Sequence, residues 1–374
     1  MFRRGGCATP SALAGPKPAA TADTDVMPFR RVAASIAAVA AWAFLACAGV
    51  PAVAAPAAEG GPSAVVFAYN RFGEDQTPSS SIRVDQFEAH LEELRNGDYA
   101  VLPLPLVLEA VRNQAPLPDR TVVITIDDAT RSFHRHAWPR LKAAGLPFTL
   151  FVAVDAVGRT DTHMTWDELR EMASSGGVTI GALGTTTASL VLKPPADPRG
   201  ELRRARDRLQ AELKQRPTLF AYPGGDYSAA LRTLVAEQGF AAGFGQQSGV
   251  VQPDSDFRAL PRFVMIESFG SIERFRLAAN ALPLPVSDVT PDDPVLTVNP
   301  PPLGFTVDEE VGDLSRLACF ASGQGRAQVE HIAEDRVEVR IADPFPPGRS
   351  RVNCTLPAPE GRWRWFGVQF LVPE

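Results

Sequence analysis

Between positions 64 and 282, short apolar runs alternate with segments whose apolar residues return every three or four positions. The runs at 65–69, 121–126, 148–152, 178–180, 218–221 and 241–244 are short and apolar on both faces, so they read as strands buried on both sides. Helical spacing fills the intervals at 84–95, 105–113, 136–144, 165–172, 197–214 and 228–238. Such alternation predicts an α/β fold with a parallel sheet wrapped by helices. The number of units favours a distorted (β/α) barrel over a small open sheet.

The pattern changes at LPLPVSDVTPDDPVLTVNPPP, positions 282–302. Proline at this density blocks helices and central strands, so 283–302 is predicted to be a linker after an α/β domain at 64–282. Beyond it, segments at 327–331, 337–341, 350–354 and 363–370 alternate between Gly/Pro turns. They predict a small, all-β, sandwich-like domain over 303–374. The run Gly361-Arg362-Trp363-Arg364-Trp365-Phe366 has two readings. The tryptophans either stack on sugar rings or fill the sandwich core with the arginines facing water, and the core reading is preferred.

The amino terminus carries a targeting pattern. Arg30 and Arg31 precede an apolar stretch over 32–50, and Ala52-Val53-Ala54 forms a small-residue cleavage site. A signal peptide is predicted at 27–54, with a non-conforming extension at 1–26 and a small-residue linker at 55–63. Export to the periplasm or beyond follows as an expectation. A retained membrane anchor and a lipoprotein attached at Cys47 are the alternatives. Cleavage after Ala54 removes Cys7 and Cys47, and leaves Cys319 and Cys354 to form one disulfide in an oxidising compartment.

At 374 residues the chain accommodates two domains, and a net charge of −6 offers no attraction to nucleic acid. Arg203, Arg204, Arg206 and Arg208 cluster, and are expected on the solvated face of a helix. Nucleophile-elbow, phosphate-loop and dinucleotide-binding glycine patterns are absent from the sequence.

The sharpest chemical feature is TVVITIDDATRSF, in which a buried strand ends in Asp127-Asp128. Catalytic groups of α/β folds gather at the C-terminal ends of strands. Adjacent side chains on extended backbone diverge, so one carboxylate can bind a metal while the other acts as a base. Equally, Asp128 could cap the following helix. Asp127 with Asp226 is a conceivable pair for metal-free glycoside chemistry.

The stretch TVVITIDDATRSFHRHAWPRLKAAGLPFTLFVAVDAVG resembles the first motif of the polysaccharide deacetylases, the NodB-homology family. The likeness continues through MTWDELREMASSGGVTIG, FAYPGGDYSAALRTLVAEQGF and LPRF. It implies a divalent metal, usually zinc, and hydrolysis of acetyl groups from N-acetylated glycans. On this resemblance Asp127 matches the base and Asp128 a metal ligand. The family's two metal-binding histidines fall on Leu183 and Thr187. Asn70 stands where a histidine follows the first strand, and Ala129 and Ala221 also depart from the pattern. Tyr222 and Pro223 match a Tyr-Pro-Tyr-Gly turn whose backbone N–H serves as an oxyanion donor; Gly224 replaces its second Tyr and keeps that N–H, with Asp226 nearby. Arg262 could orient Asp127, or equally form a surface salt bridge.

Zinc catalysis needs three protein ligands and a water. Leucine offers no lone pair and threonine a poor one. The remaining histidines are His90, His134, His136, His163 and His331. His90 is placed on the helix face opposite Phe87, Leu91 and Leu94, and a relocated site built from the others is a minor alternative. The sequence therefore suggests an exported deacetylase-family protein with weak or no metal binding. It would bind acetylated polysaccharide or oligosaccharide, as an accessory to a partner enzyme of a polysaccharide pathway. An active deacetylase with an altered site, and a structural envelope protein without glycan binding, are the competing expectations.

Overall fold

The computed structural model describes residues 61–373 except Lys193 and Pro195. The expected extension, the signal peptide and the start of the 55–63 linker lie outside the described residues. Strand β1 (Ala64–Tyr69) pairs in parallel with β2 (Thr121–Asp127). The sheet continues in parallel through β3 (Phe148–Ala153), β4 (Val178–Gly184), β5 (Leu219–Ala221) and β6 (Ala242–Phe244). Leu260 bridges to Phe244 of β6, and β7 (Phe263–Val264) pairs in parallel with β1. One short segment thus joins the first strand to the last and curls the sheet into the expected barrel-like form.

Strand parity sorts the core into two layers. Val66, Val123, Phe151, Leu183, Ala221 and Phe244 belong to an interior cluster. Val65, Phe67 and Tyr69 belong to the cluster beneath the helices, where Phe67 stacks on Phe275 at 4.6 Å. The helices are α1 (Val84–Asn96), α2 (Leu104–Arg112), α3 (Trp138–Ala144), α4 (Trp166–Ser174), α5 (Pro198–Leu213), α6 (Ala229–Glu237) and α7 (Ile272–Ala279). Local chemistry starts several of them. Thr165 accepts from the Glu168 N–H at 3.2 Å while Glu168 accepts from the Thr165 N–H at 2.7 Å, a reciprocal cap on α4. Asp197 caps α5 with proline in the first turn. Helix α7 had no counterpart in the sequence reading, although Ser271 caps it in the same manner.

The segment expected as a linker is structured. It carries β8 (Leu282–Pro283) and β9 (Val286–Thr290). These strands pair with β15 (Trp363–Val372) and β10 (Leu303–Val307) respectively. The remaining strands are β11 (Ala318–Ala321), β12 (Gly325–His331), β13 (Arg336–Arg340) and β14 (Gly348–Pro357), in the order β8-β15-β14-β11-β12-β13-β10-β9. Proline is tolerated in β8 because that strand is an edge. Strands β8 and β9 follow each other in sequence yet occupy opposite edges, so the sheet has to curl round its own core. Phe305, Val337, Val352 and Phe370 lie in that core. A disulfide between Cys319 and Cys354 links the directly paired positions of β11 and β14.

Trp365 corrects the expectation that both tryptophans fill the sandwich. Alternation along β15 sends Phe366, Val368 and Phe370 to the sandwich core and turns Trp365 toward the barrel. There it packs edge-on against Phe263 at 5.2 Å. The neighbouring arginines are not simply solvated. Arg362 donates to Asp119 at 2.9 Å and to the Asn280 carbonyl at 2.8 Å, and Arg364 donates to the Pro283 carbonyl at 3.1 Å. The helix arginines also divide. Arg203, Arg204 and Arg208 are exposed, whereas Arg206 is buried over the Phe240 ring at 5.1 Å.

Candidate functional site

Strand β2 delivers Asp127 to the C-terminal end of the barrel interior. Both its carboxylate oxygens accept from Arg262, at 2.8 and 2.9 Å, and both residues are buried. Arg262 also donates to the Gly245 carbonyl at 2.9 Å and to the Thr125 hydroxyl at 3.1 Å. Its guanidinium lies 5.5 Å from the Phe151 ring centroid. The arginine comes from the segment that joins the first and last strands, so the ion pair ties the catalytic-motif strand to the closure of the sheet.

The next residue leaves the strand sharply. Asp128 has φ +76° and Ala129 φ +53°, left-handed conformations that cost energy in residues other than glycine. The Asp128 N–H donates to the Phe151 carbonyl at 2.9 Å, and its carboxyl receives the Asn70 amide at 2.6 Å. Asp128 caps no helix. Thr130 instead accepts from the Phe133 N–H at 3.2 Å. Burial, and then the neighbouring Asp127 charge, push the Asp128 carboxyl up to about 6, against opposing pulls from Asn70, Arg71 and Arg262.

That shift fixes the sign of a pH dependence. The native chain holds the Asp128 proton over a range where the unfolded chain has lost it. The Asp128 contribution to stability is therefore greatest below the ordinary carboxyl pKa near 4 and is lost as pH rises through about 6, by about 3 kcal/mol at most. Asp128→Asn, well tolerated at positive φ, should raise stability at pH 7 and change it little at pH 4. Urea unfolding at both pH values reads the difference. A variant equally displaced at pH 4 and pH 7 would refute it.

The positions matching the family's histidines do not fit a zinc site. Leu183 is buried among the interior apolar side chains and Thr187 is exposed. Between them, the Thr185 N–H and hydroxyl donate to the buried Glu201 carboxylate at 2.8 and 2.5 Å. Among the described residues no group of three or more His, Cys, Asp or Glu is placed to hold a metal ion. His90 lies on the buried face of α1 and not opposite it. It bonds the Tyr69 hydroxyl at 3.0 Å and the Gly270 carbonyl at 2.9 Å, stacked on Phe275, and burial lowers its pKa to about 4. His163 is buried with Nδ1 bonded to Thr160 and Thr162, His134 lies 3.6 Å from Glu168, and His331 is exposed in the β sandwich.

The turn after β5 forms another part of the same barrel end. Tyr222 donates to the Arg258 carbonyl at 2.6 Å, and Pro223 leads into Gly224 at φ +64°. Asp226 is fully buried and bound by Arg349 from β14 at 2.6 and 2.7 Å, with Gln369 of β15 at 3.2 Å. Asp127 and Asp226 are each neutralised by their own arginine, so they do not form the conceivable glycosidase pair. Glycine suits the positive φ at position 224, and any Cβ there would have to displace the Arg349 guanidinium. Arg349 and Gln369 were missed in the sequence. They sit more than 120 positions from Asp226 in chain order, on a strand whose alternation shows a face but not its partner.

A curled parallel sheet with paired aspartates at its C-terminal rim defines a NodB-type α/β domain. Residues 114–243 match the family described as polysaccharide deacetylase. The Bacillus subtilis (strain 168) protein YxkH is 26% identical over 186 residues, covering 49% of this chain and 66% of its own length. The poly-beta-1,6-N-acetyl-D-glucosamine N-deacetylase of Staphylococcus aureus (strain N315) is 24% identical over 211 residues, 53% of this chain and 72% of its own. Among solved structures, IcaB from Ammonifex degensii superposes with a TM-score of 0.52 at 25% identity, covering 59% of this chain and 98% of IcaB. The Streptococcus pyogenes deacetylase PplD in complex with acetate gives a TM-score of 0.54 at 19% identity, covering 59% of this chain and 99% of PplD. The likeness to the polysaccharide deacetylases thus lies in the α/β domain, where residues 114–243 match the family model.

Proposed function

We propose that this chain is an exported polysaccharide-deacetylase-family protein that binds acetylated glycan at its barrel rim and has lost metal-dependent hydrolysis. One observation supports the loss above the others: Leu183, at a histidine position of the family, is part of the apolar interior. A side chain there has neither a donor atom nor room to be displaced by one without opening the core. The names of the relatives support an N-acetylated glycan as the ligand class. Export rests on Arg30-Arg31, the apolar stretch and Ala52-Val53-Ala54.

Protein isolated from the periplasm or medium should begin at Ala55 by mass spectrometry, carry substoichiometric zinc, and release no acetate from N-acetylglucosamine oligomers. Leu183→His with Thr187→His should introduce measurable zinc binding at some cost in stability, because a polar ring replaces a core leucine. Activity should return only in part, since Asn70, Ala129 and Ala221 also depart from the family pattern. Stoichiometric zinc with Asp127-dependent acetate release by the unmodified protein would overturn the reading. That outcome is the second reading, an active deacetylase with an altered site, which the intact Asp127–Arg262 pair supports.

A further inference from the structure

The face of the β14–β15 hairpin that meets the barrel carries Arg349 and Arg351 two residues apart, and so on one side of the strand. Arg349 is bonded to both oxygens of Asp226. Arg351 has no carboxylate partner among the described residues. Its Nε donates to Gln369 Oε1 at 3.0 Å, and Gln369 in turn donates to Asp226 and to the Gly224 carbonyl, both at 3.2 Å. A single carboxylate therefore serves two guanidinium groups.

This cluster adjoins the Gly224 turn at the barrel rim, where Gly245 and Gln246 follow β6. Gly245 accepts from Arg262, and Gln246 packs on Gly225, so Asp127 and the arginine cluster share one end of the barrel. Burial, and then the Arg349 charge, lowers the Arg351 pKa, while Asp226 opposes the shift only in part. Half-buried cations lacking a counter-charge destabilise a fold unless an anion completes them. Planar guanidinium groups suit that task because they bind carboxylate, sulfate or phosphate through paired N–H donors.

We propose that Arg349 and Arg351 form an anion site, at the seam of the barrel and the β sandwich, that takes a negatively charged substituent of the bound glycan. The site rests on the glycan-binding reading above and adds to it that the preferred glycan is acidic. The β sandwich then supplies part of the binding surface.

Isothermal titration of the mature protein with a hyaluronan tetrasaccharide and with chitotetraose tests this, since both carry acetamido groups and only the first carries carboxylates. The hyaluronan fragment should bind about tenfold more tightly, the scale of one charge-assisted bidentate contact, with a preference that shrinks as salt rises. Arg351→Gln should reduce the hyaluronan affinity to that for chitotetraose, and Arg351→Lys should retain part of the preference. Should Arg351→Gln fail to fold, Arg351→Met, which removes the charge without adding a polar group to the half-buried position, provides the same readout. Equal affinity for the two sugars in the unmodified protein, or a preference that survives Arg351→Gln, would overturn the anion site and leave the glycan reading standing. Binding of neither sugar would overturn both.

Discussion

Replacing Arg262 with methionine should destabilise the protein by about 3–5 kcal/mol, the scale for breaking a buried ion pair from one side. Asp127 receives both its charge-assisted bonds from this arginine, and neither side chain reaches water. Methionine would leave a carboxylate in the apolar interior beside Phe151, where it can remain charged at great cost or take up a proton. The same substitution removes donors to the Gly245 carbonyl and the Thr125 hydroxyl. Asp127→Asn together with Arg262→Met should recover a large share of the loss, because the desolvated charges then leave together. Urea unfolding of the single and double variants measures the coupling. A loss below about 1 kcal/mol for Arg262→Met would show that the pair is not buried in solution.

Removal of the Cys319–Cys354 bridge should have a comparable effect. The bond closes a loop with a sequence separation of 35, for which chain-entropy arguments give about 4 kcal/mol. Both half-cystines lie in the sandwich core, so the native state should resist reductant until it unfolds. Cys319→Ala with Cys354→Ala avoids burying new hydroxyls and isolates the cross-link from polarity effects. Its unfolding midpoint should fall well below that of the parent, and should match the parent unfolded in excess dithiothreitol. An unchanged midpoint, or free thiols in the purified protein, would contradict the expectation.

Much of the barrel was legible because its signals are local. Runs such as 121–126 are short, rich in β-branched residues and buried on both faces, which favours a strand, and caps such as Thr165 and Asp197 set helix starts through residues three positions away. The Asp127-Asp128 step was visible for the same reason, being a polar pair at the end of an apolar strand. What stayed hidden was non-local. Proline density at 283–302 marked the loss of helices but could not show that edge strands tolerate proline, so β8 and β9 were missed. Alternation in GRWRWF revealed two faces without saying which one met a second domain. His90 misled because a histidine on an amphipathic helix looks polar until Tyr69, Gly270 and Phe275 are seen to enclose it. The Asp226–Arg349 pair spans the two domains and left no spacing to read.

Trp365 has a consequence for how this chain can be divided. Strand β15 belongs to two cores at once, giving Trp365 to the barrel while Val368 and Phe370 complete the sandwich. The barrel is thus not a transferable module ending near Leu282. Excised there, it would expose the Phe263 face, leave the Asp226 carboxylate without Arg349, and strip Asp119 of Arg362. Recombination of such a domain with another partner would require a replacement for each of those three contacts. The seam between the halves therefore constrains which domain architectures this barrel can be spliced into.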